Sequence, residues 1–156
     1  MIIRLVIALA VGALMGLERE LVGKEAGIRT SMLVAGGAAI FTLIALNLPY
    51  LIAATPADVP NVIARNGGFL AVIANIVVGI GFLGAGIIIK TTGDEHVHGL
   101  TTAAVIWATA AIGVLAGLGL FKFAATATIV ITGLLYFLRK IGVQEKIKAR
   151  ENIKPY

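Results

Sequence analysis

The segment Val77–Lys90, "VVGIGFLGAGIIIK", decides how the chain folds, because its glycines are compatible with two different structures. Gly79, Gly81 and Gly84 match the G-x-G-x-x-G spacing of a dinucleotide-binding turn. Such a turn follows a strand, opens a soluble helix and has an acidic residue about 20 residues further on. Here the glycines lie inside a continuous apolar stretch instead, so we reject a dinucleotide site.

The composition of the whole chain agrees with a membrane environment for this segment. Of 156 residues, 59% are hydrophobic and only 13% are charged, whereas a soluble domain has about a quarter charged residues. Cysteine is absent, which excludes disulfides, thiolate metal sites and cysteine nucleophiles. The sequence therefore predicts an integral membrane protein.

Five apolar stretches have about the length that a membrane-spanning helix requires, since a hydrocarbon core of about 30 Å needs about 20 residues. The first stretch contains Arg4 and covers only about 25 Å. We predict an all-α fold, an integral membrane bundle of five transmembrane helices at Ile2–Leu17, Met32–Ala53, Gly68–Ile89, Leu100–Leu118 and Leu120–Leu138. Residues 1–140 would form this domain, and residues 141–156 a short basic cytoplasmic tail.

The distribution of Lys and Arg predicts the orientation of the bundle. Five spans place the termini on opposite sides, and one side would then hold only Arg4, Arg65 and Lys122. The positive-inside rule assigns the richer side to the cytoplasm, with the N-terminus out and the C-terminus in. That side holds Arg19, Lys24, Arg29, Lys90, Arg139, Lys140, Lys146, Lys148, Arg150 and Lys154. Topology and anionic lipid thus account for the net charge of +5, and we expect no nucleic-acid partner.

The glycines of the third span are better explained by close helix packing. Gly79, Gly81, Gly84 and Gly86 remove side chains and let a neighbouring backbone approach. Matching faces are offered by the first span, through Gly12 and Gly16, and by the fourth, through Gly113 and Gly117. A broken or kinked helix at these glycines, with its backbone lining an ion site, is the alternative.

The first cytoplasmic connection, "GLERELVGKEAGIRTS", carries six charged residues: Glu18, Arg19, Glu20, Lys24, Glu25 and Arg29. If the helix continues past Leu17, Glu20 and Lys24 form an i,i+4 pair, Gly27 ends it, and Thr30 or Ser31 caps the next helix. The alternative is a functional cluster, because charges as deep as Glu18 and Arg19 usually have a partner or a role.

The second cytoplasmic connection contains Asp94, Glu95, His96 and His98, residue types that suit a divalent metal, although an H-x-H pair in a short loop is a weak signal. Thr30/Ser31 and Thr101/Thr102 would sit at two positive helix ends, which favour an anion or a carboxylate. Glu18 and Glu20 could fill that role internally.

Asn75, with Thr109 less strongly, is the notable polar group inside the predicted membrane region. An unpartnered amide is costly in hydrocarbon, so Asn75 is expected to hydrogen-bond another helix. Coordination of an ion is the alternative.

Four motifs, in order, resemble the N-terminal membrane domain of the MgtC/SapB family over Gly12 to Gly119. They are "GALMGLERE", "KEAGIRTSMLVAGGAAIF", "VVGIGFLGAGIIIK" and "HGLTTAAVIWATAAIGVLAGLG". The resemblance implies a five-helix domain of the plasma (inner) membrane. It also implies a link to growth under magnesium limitation, to virulence and to modulation of other membrane machines. Family members are often described as magnesium transporters.

The resemblance carries the family's characteristic polar residues onto Glu18, Arg19, Glu20, Lys24, Arg29, Thr30, Thr101 and Thr102. Two departures stand out. Where members commonly have an Arg and a Gln before the glycine motif, this chain has Ala71 and Asn75. Many members also carry a C-terminal soluble domain, whereas this chain stops at Tyr156, so regulation through such a domain is not assumed.

Two classes of function follow. In the first, the protein is not an enzyme and acts through helix contacts with itself, as a homodimer, or with a membrane-protein partner. In the second, Glu18 and its neighbours with the glycine-rich helix form a pathway for magnesium or another cation. The sequence establishes no cofactor, and magnesium is the leading candidate ion. We expect the first class, since no nucleophile with an adjacent base is present.

Overall fold

The computed structural model describes residues 1–65, 68–90 and 99–142, and the regular structure in these ranges is helical. In chain order the helices are α1 (Ile2–Leu21), α2 (Ile28–Ile52), α3 (Val59–Arg65), α4 (Gly68–Lys90), α5 (Leu100–Leu118) and α6 (Phe121–Lys140). A single 3-10 turn, Pro56–Asp58, precedes α3. The loop that the sequence offered as a metal site, with Asp94, Glu95, His96 and His98, lies outside the described residues.

Four of these helices, α2, α4, α5 and α6, are long and apolar enough to cross a membrane. They make the chain a multi-pass membrane protein by length and composition. The remaining long helix, α1, has 20 residues, but it contains Arg4, Glu18, Arg19 and Glu20 and is not among the four. Each predicted span coincides with a helix, and most of these helices extend a few residues beyond the predicted bounds.

The relative direction of the helices follows from two contacts between α1 and α5. Near the start of α1, the Arg4 guanidinium donates to the Gly117 carbonyl near the end of α5, at 2.9 Å. Near the end of α1, the Arg19 guanidinium donates to the Thr102 hydroxyl near the start of α5, at 2.8 Å. The two helices therefore run antiparallel, and Arg19 and Thr102 mark one end of the bundle, which we call the charged end.

Small residues bring the backbones of α1, α2 and α5 together in the centre of the bundle. A Cβ atom built on Gly12 would lie 2.6 Å from the Ser31 carbonyl oxygen, and one on Gly16 would lie 2.5 Å from Ile28 Cα. On α5, a Cβ at Gly113 would collide with the Ala35 backbone of α2. Because hydrocarbon supplies no hydrophobic drive between helices, such close backbone contacts hold the bundle through van der Waals packing. The main buried core comprises Ala8, Val11, Met15, Ala39, Val105, Ile112, Ala116 and Ala124.

The helices α4 and α6 lie at the periphery. Only 6% of the apolar window of α4 and 11% of that of α6 is buried, against 56% for α5. The helix α4 is continuous across its glycines, so the helix is not broken there. A Cβ atom built on Gly84 would lie 3.4 Å from the Ala103 Cβ atom. Added Cβ atoms at Gly79, Gly81 and Gly86 meet nothing within 4 Å.

The glycines of α5 therefore do not pack against the glycines of α4, in contrast to the sequence prediction. Gly113 and Gly117 contact α2, through Ala35 and through Thr42, rather than the glycine-rich α4. The outward glycines of α4 find no neighbour among the described residues, so their packing role stays a prediction about contacts beyond this chain.

Three buried threonine hydroxyl groups inside the bundle are satisfied by their own helices. Thr42, Thr109 and Thr128 each donate to the carbonyl oxygen four residues earlier, at 2.7 to 2.8 Å. This local bond removes the cost of a buried hydroxyl without a partner on another helix. Thr109, flagged from sequence as a polar group in the membrane region, thus needs no ligand.

We predict that Gly113→Ala destabilises the protein, because the new Cβ would force α5 away from the Ala35 backbone. Overpacking of this kind lowers the free energy of unfolding by about 1–3 kcal/mol. Denaturation in detergent micelles, followed by circular dichroism, measures the change. Gly37→Ala on α2, where a Cβ meets nothing within 4 Å, is the matched control and should be at least as stable as the wild type, because it gains the helix propensity of Ala without a collision. Equal stability of Gly113→Ala and Gly37→Ala would contradict the packing described here.

Candidate functional site

Arg19 is the centre of a hydrogen-bond chain at the charged end. Its side chain is only 5% exposed, and its Nη2 atom donates to Thr102 Oγ1 at 2.8 Å. The Thr102 hydroxyl in turn donates to Glu25 Oε2 at 3.4 Å. This chain joins α1, the start of α5 and the connection between α1 and α2, so three separate parts of the sequence meet at one buried guanidinium.

Glu18 lies between two guanidinium groups. Its Oε2 atom is 3.7 Å from Arg19 Nη1, and its Oε1 atom is 3.7 Å from Arg139 Nη1 near the end of α6. Arg139 also lies over the Tyr136 ring, with its Cζ atom 5.3 Å from the ring centroid. These ion pairs compensate the buried carboxylate, which is 7% exposed, and they connect α6 to the charged end.

The network is not fully saturated with hydrogen bonds. Glu18 Oε2, Arg19 Nε and Ser31 Oγ are buried atoms for which the described residues provide no hydrogen-bond partner. Buried polar atoms of this kind are uncommon in folded proteins and are costly when charged. The electrostatic attraction of Glu18 to two arginines therefore has to offset an incomplete set of hydrogen bonds.

Glu20 performs a different task, because its carboxylate closes the N-terminus of α2. Its Oε2 atom accepts from the Ile28 backbone N–H at 2.8 Å, and the negative charge lies at the positive end of the helix dipole. Gly27 makes room for it, since a Cβ there would collide with Glu20 Oε2. This is the internal role that the sequence allowed for Glu20.

Two sequence predictions about this connection are wrong as a result. The predicted cap at Thr30 or Ser31 does not exist, because α2 begins at Ile28 with Gly27 as its N-cap. The helical i,i+4 geometry for Glu20 and Lys24 is also absent, because α1 ends at Leu21. In the first case the Glu20 carboxylate caps α2 instead, and in the second the chain leaves α1 through Gly23, which has a positive φ of 66°.

The remaining candidate residues are spread around the charged end and α4. Arg29 and Thr30 line a groove of about 460 Å³ between α2 and α4, Lys24 and Thr101 are exposed, and Asn75 is exposed on α4. No hydrogen bond from the Asn75 amide is found within residues 1–65, 68–90 and 99–142. Its expected partner on another helix stays a prediction.

The described residues of the charged end present a positive charge where a cation would have to bind. Magnesium requires oxygen ligands in near-octahedral geometry, and the part of the chain that the structure describes contains no group of three acidic or histidine residues that could hold a metal. The Arg19 guanidinium occupies the position between Glu18 and Thr102. A cation entering there would meet a positive charge.

Sequence reasoning identified Glu18, Arg19 and Thr102, but it did not connect Arg139 with them. Arg139 was placed only among the basic residues of the cytoplasmic side. The available signal was that the first and fifth predicted spans both end on that side, which puts Glu18 and Arg139 at the same depth. Which helices are neighbours is a tertiary property that the spacing alone does not reveal.

Comparisons with known proteins place this arrangement in a family. A model of the MgtC family matches residues 5–143. Protein MgtC of Salmonella typhimurium is 46% identical over 130 residues, which cover 83% of this chain and 48% of the relative. Protein MgtC of Brucella abortus is 40% identical over 134 residues, covering 86% of this chain and 49% of the relative.

A relative with a different name also matches. Protein SrpB of Synechococcus elongatus is 37% identical over 131 residues, covering 80% of this chain and 67% of the relative. The chain thus spans about half the length of the two MgtC relatives. No solved structure matches the chain.

We predict that Arg19→Gln strongly destabilises the bundle, because it removes the donor to Thr102 and one of the two positive charges beside the buried Glu18. Breaking a buried ion pair from one side costs about 3–5 kcal/mol, which denaturation in detergent would detect. Arg29→Gln is the matched control, because Arg29 is exposed, and should change stability by less than about 0.5 kcal/mol. A loss no larger than that of the control would contradict a buried role for Arg19.

Glu20→Ala tests the helix cap separately. Loss of the acceptor should lower the free energy of unfolding by about 1 kcal/mol and speed amide hydrogen exchange at the start of α2. Glu20→Gln, which keeps one side-chain oxygen acceptor, should retain part of the protection. If exchange at Ile28 is the same in Glu20→Ala as in the wild type, the carboxylate does not cap α2.

Proposed function

The chain belongs to the MgtC family, and from that premise we propose that it is an inner-membrane protein of magnesium homeostasis. It acts without catalysis, through helix contacts with a second copy of itself or with another membrane protein. Since the chain spans about half of its MgtC relatives, the proposal concerns the membrane domain that it shares with them.

The topology in this proposal has five crossings, with the N-terminus outside and the C-terminus in the cytoplasm. Support for α1 as the fifth crossing comes from its length of 20 residues, which corresponds to about 30 Å, and from its antiparallel packing against α5. Its charges at Arg4 and Arg19 are matched by partners on α5, which lowers the cost of placing them near lipid.

The proposal rests on one observation: the buried charged groups of the charged end interact with one another. Arg19 and Glu18 are both more than nine-tenths buried, and their charged groups lie beside each other and beside Thr102 and Arg139. An ion pathway needs polar groups that face an open space and can exchange partners. Here the same groups tie α1 to α5 and α6, which is the arrangement expected of a structural anchor.

The surface available for contacts with other helices is the outer face of α4. Asn75 and the open glycines Gly79, Gly81 and Gly86 lie on this weakly buried helix. Glycines allow a second backbone to approach closely, and an amide can donate and accept across the contact. A homodimer would place two copies of this face together and supply the partner that Asn75 lacks within the described residues.

A cation pathway is the second candidate, and the buried Glu18 Oε2 atom without a hydrogen-bond partner favours it. For a cation to bind there, Arg19 would have to leave its position 3.7 Å from that oxygen. The two candidates therefore differ in whether Glu18 is exchangeable or permanently paired.

Magnesium flux into proteoliposomes tests the proposal. Purified protein is reconstituted with a magnesium-sensitive dye inside the vesicles, and we expect entry no faster than in protein-free vesicles, because Glu18 is held by Arg19 and Arg139. Two further assays test the role through helix contacts. Growth of cells expressing the same protein at low magnesium measures its effect on magnesium homeostasis. Crosslinking through a cysteine introduced at Phe82 on α4 detects contact with a second copy or another membrane protein.

Glu18→Gln and Asp58→Asn separate the two candidates in the flux assay. Glu18 is buried between two arginines, whereas Asp58 lies in the 3-10 turn after α2, at the other end of the bundle. Saturable magnesium entry that Glu18→Gln abolishes and Asp58→Asn preserves would overturn the non-transport proposal and establish the cation pathway.

A further inference from the structure

A groove between α1 and α6 opens toward the charged end. The two helices are in contact at Thr132, whose hydroxyl lies 3.3 Å from Met15 Sδ, and α6 is buried only at Ala124 and Thr128 in its first half. Beside this contact lies a space of about 420 Å³, which α6 lines from Thr128 to Arg139 and α1 lines from Leu14 to Leu21. A Cβ built on Gly133 meets nothing within 4 Å, so a larger side chain at this position has room to extend into the groove.

The walls of the groove are apolar along most of its length. Leu14, Leu17 and Leu21 form the α1 side, and Ile129 with Gly133 forms the α6 side. Leu14 is 52% exposed and Ile129 is 69% exposed, so these side chains face outward without neighbours in the described residues. In a membrane, apolar walls of this kind favour contact with the hydrocarbon chain of a lipid.

The end of the groove is charged, and the balance of charge is positive. Arg139 and Glu18 line it, and Arg19 lies behind Glu18 at 3.7 Å. One carboxylate thus faces two cationic groups. The Arg139 side chain is 40% exposed, and an arginine has five N–H donors, of which only the Nη1 group faces Glu18.

We propose that this groove binds one anionic glycerophospholipid of the leaflet at the charged end. The phosphate accepts hydrogen bonds from the exposed side of the Arg139 guanidinium, and one acyl chain lies along Leu14, Leu17 and Ile129 past Gly133. Tyr136, whose ring lies under the guanidinium, holds Arg139 in place and occupies the interfacial depth that Tyr prefers in membranes.

A lipid matches the groove better than the other occupants. A second protein copy would bury the exposed side of the Arg139 guanidinium against an apolar helix and leave its remaining N–H donors without acceptors, which is costly. A free phosphate would satisfy Arg139 but would leave the apolar length of the groove without a function. The inference goes beyond the proposed function, because it requires only that α1 and α6 lie in a bilayer.

Native mass spectrometry of the full chain, purified in mild detergent and titrated with phosphatidylglycerol or phosphatidylcholine, tests the proposal. We expect tighter binding of phosphatidylglycerol by about fivefold, the contribution of one basic residue near an anionic headgroup. Arg139→Gln should remove this preference. Gly133→Leu should weaken phosphatidylglycerol binding by a similar factor, because its side chain fills the groove and leaves Arg139 untouched.

Two matched controls make the test specific. Lys140→Gln removes the neighbouring charge outside the groove, and Gly37→Leu fills the groove between α2 and α4, where a Cβ at Gly37 also meets nothing within 4 Å. Both should bind phosphatidylglycerol like the wild type, and millimolar inorganic phosphate should not compete. If Arg139→Gln fails to fold, Gly133→Leu against Gly37→Leu decides the result.

Three results would overturn the proposal. Equal losses in Lys140→Gln and Arg139→Gln would show general attraction to charge. Unchanged lipid binding in Gly133→Leu would show that the groove is not the site. Loss of a dimer in Gly133→Leu, with lipid binding intact, would show that a second copy covers this face.

Discussion

The burial of Arg19 is the constraint on which the rest of the structure depends. A guanidinium cannot lose its charge, so a side chain that is 5% exposed must be surrounded by acceptors and counter-charges. Glu18 provides the charge and Thr102 provides the acceptor. Meeting this requirement fixes the start of α5 against the end of α1, and Glu18 in turn draws in Arg139 from α6. The register of three helices is thus determined at one end of the bundle.

Once that end is fixed, small residues determine how closely the helices approach along their length. Gly12 and Gly16 on α1 and Gly113 on α5 put backbone against backbone, and Arg4 holds the far end of α5 through the Gly117 carbonyl. The result is a tight core of α1, α2 and α5, with α4 and α6 attached more loosely on the outside. This division concentrates the surfaces for other molecules on the two outer helices. The outer face of α4 suits a protein helix, and the groove beside α6 suits a lipid.

Much of this arrangement could be predicted from sequence because the bilayer restricts the possible structures so strongly. Apolar length identified every long helix, and the depth of Glu18 and Arg19 marked the site. The cap of α2 could not be read locally, because its acceptor, Glu20, comes from the preceding helix and displaces the expected Thr30 or Ser31. The role of the α4 glycines was also beyond the sequence pattern, since spacing shows that side chains are missing but not which neighbour fills the space. Helix α3 was missed because seven residues give too short a periodic signal.

The central claim is that Arg19 and Thr102 interact directly and hold α1 to α5. A double-mutant cycle with Arg19→Gln, Thr102→Val and the combined variant, measured as free energies of unfolding in detergent, isolates this pair from other effects of each substitution. A hydrogen bond to a charged group predicts a coupling energy of about 1.5–3 kcal/mol. A coupling energy near zero would mean that the two residues act independently, and the account of the charged end as the anchor of the bundle would be wrong.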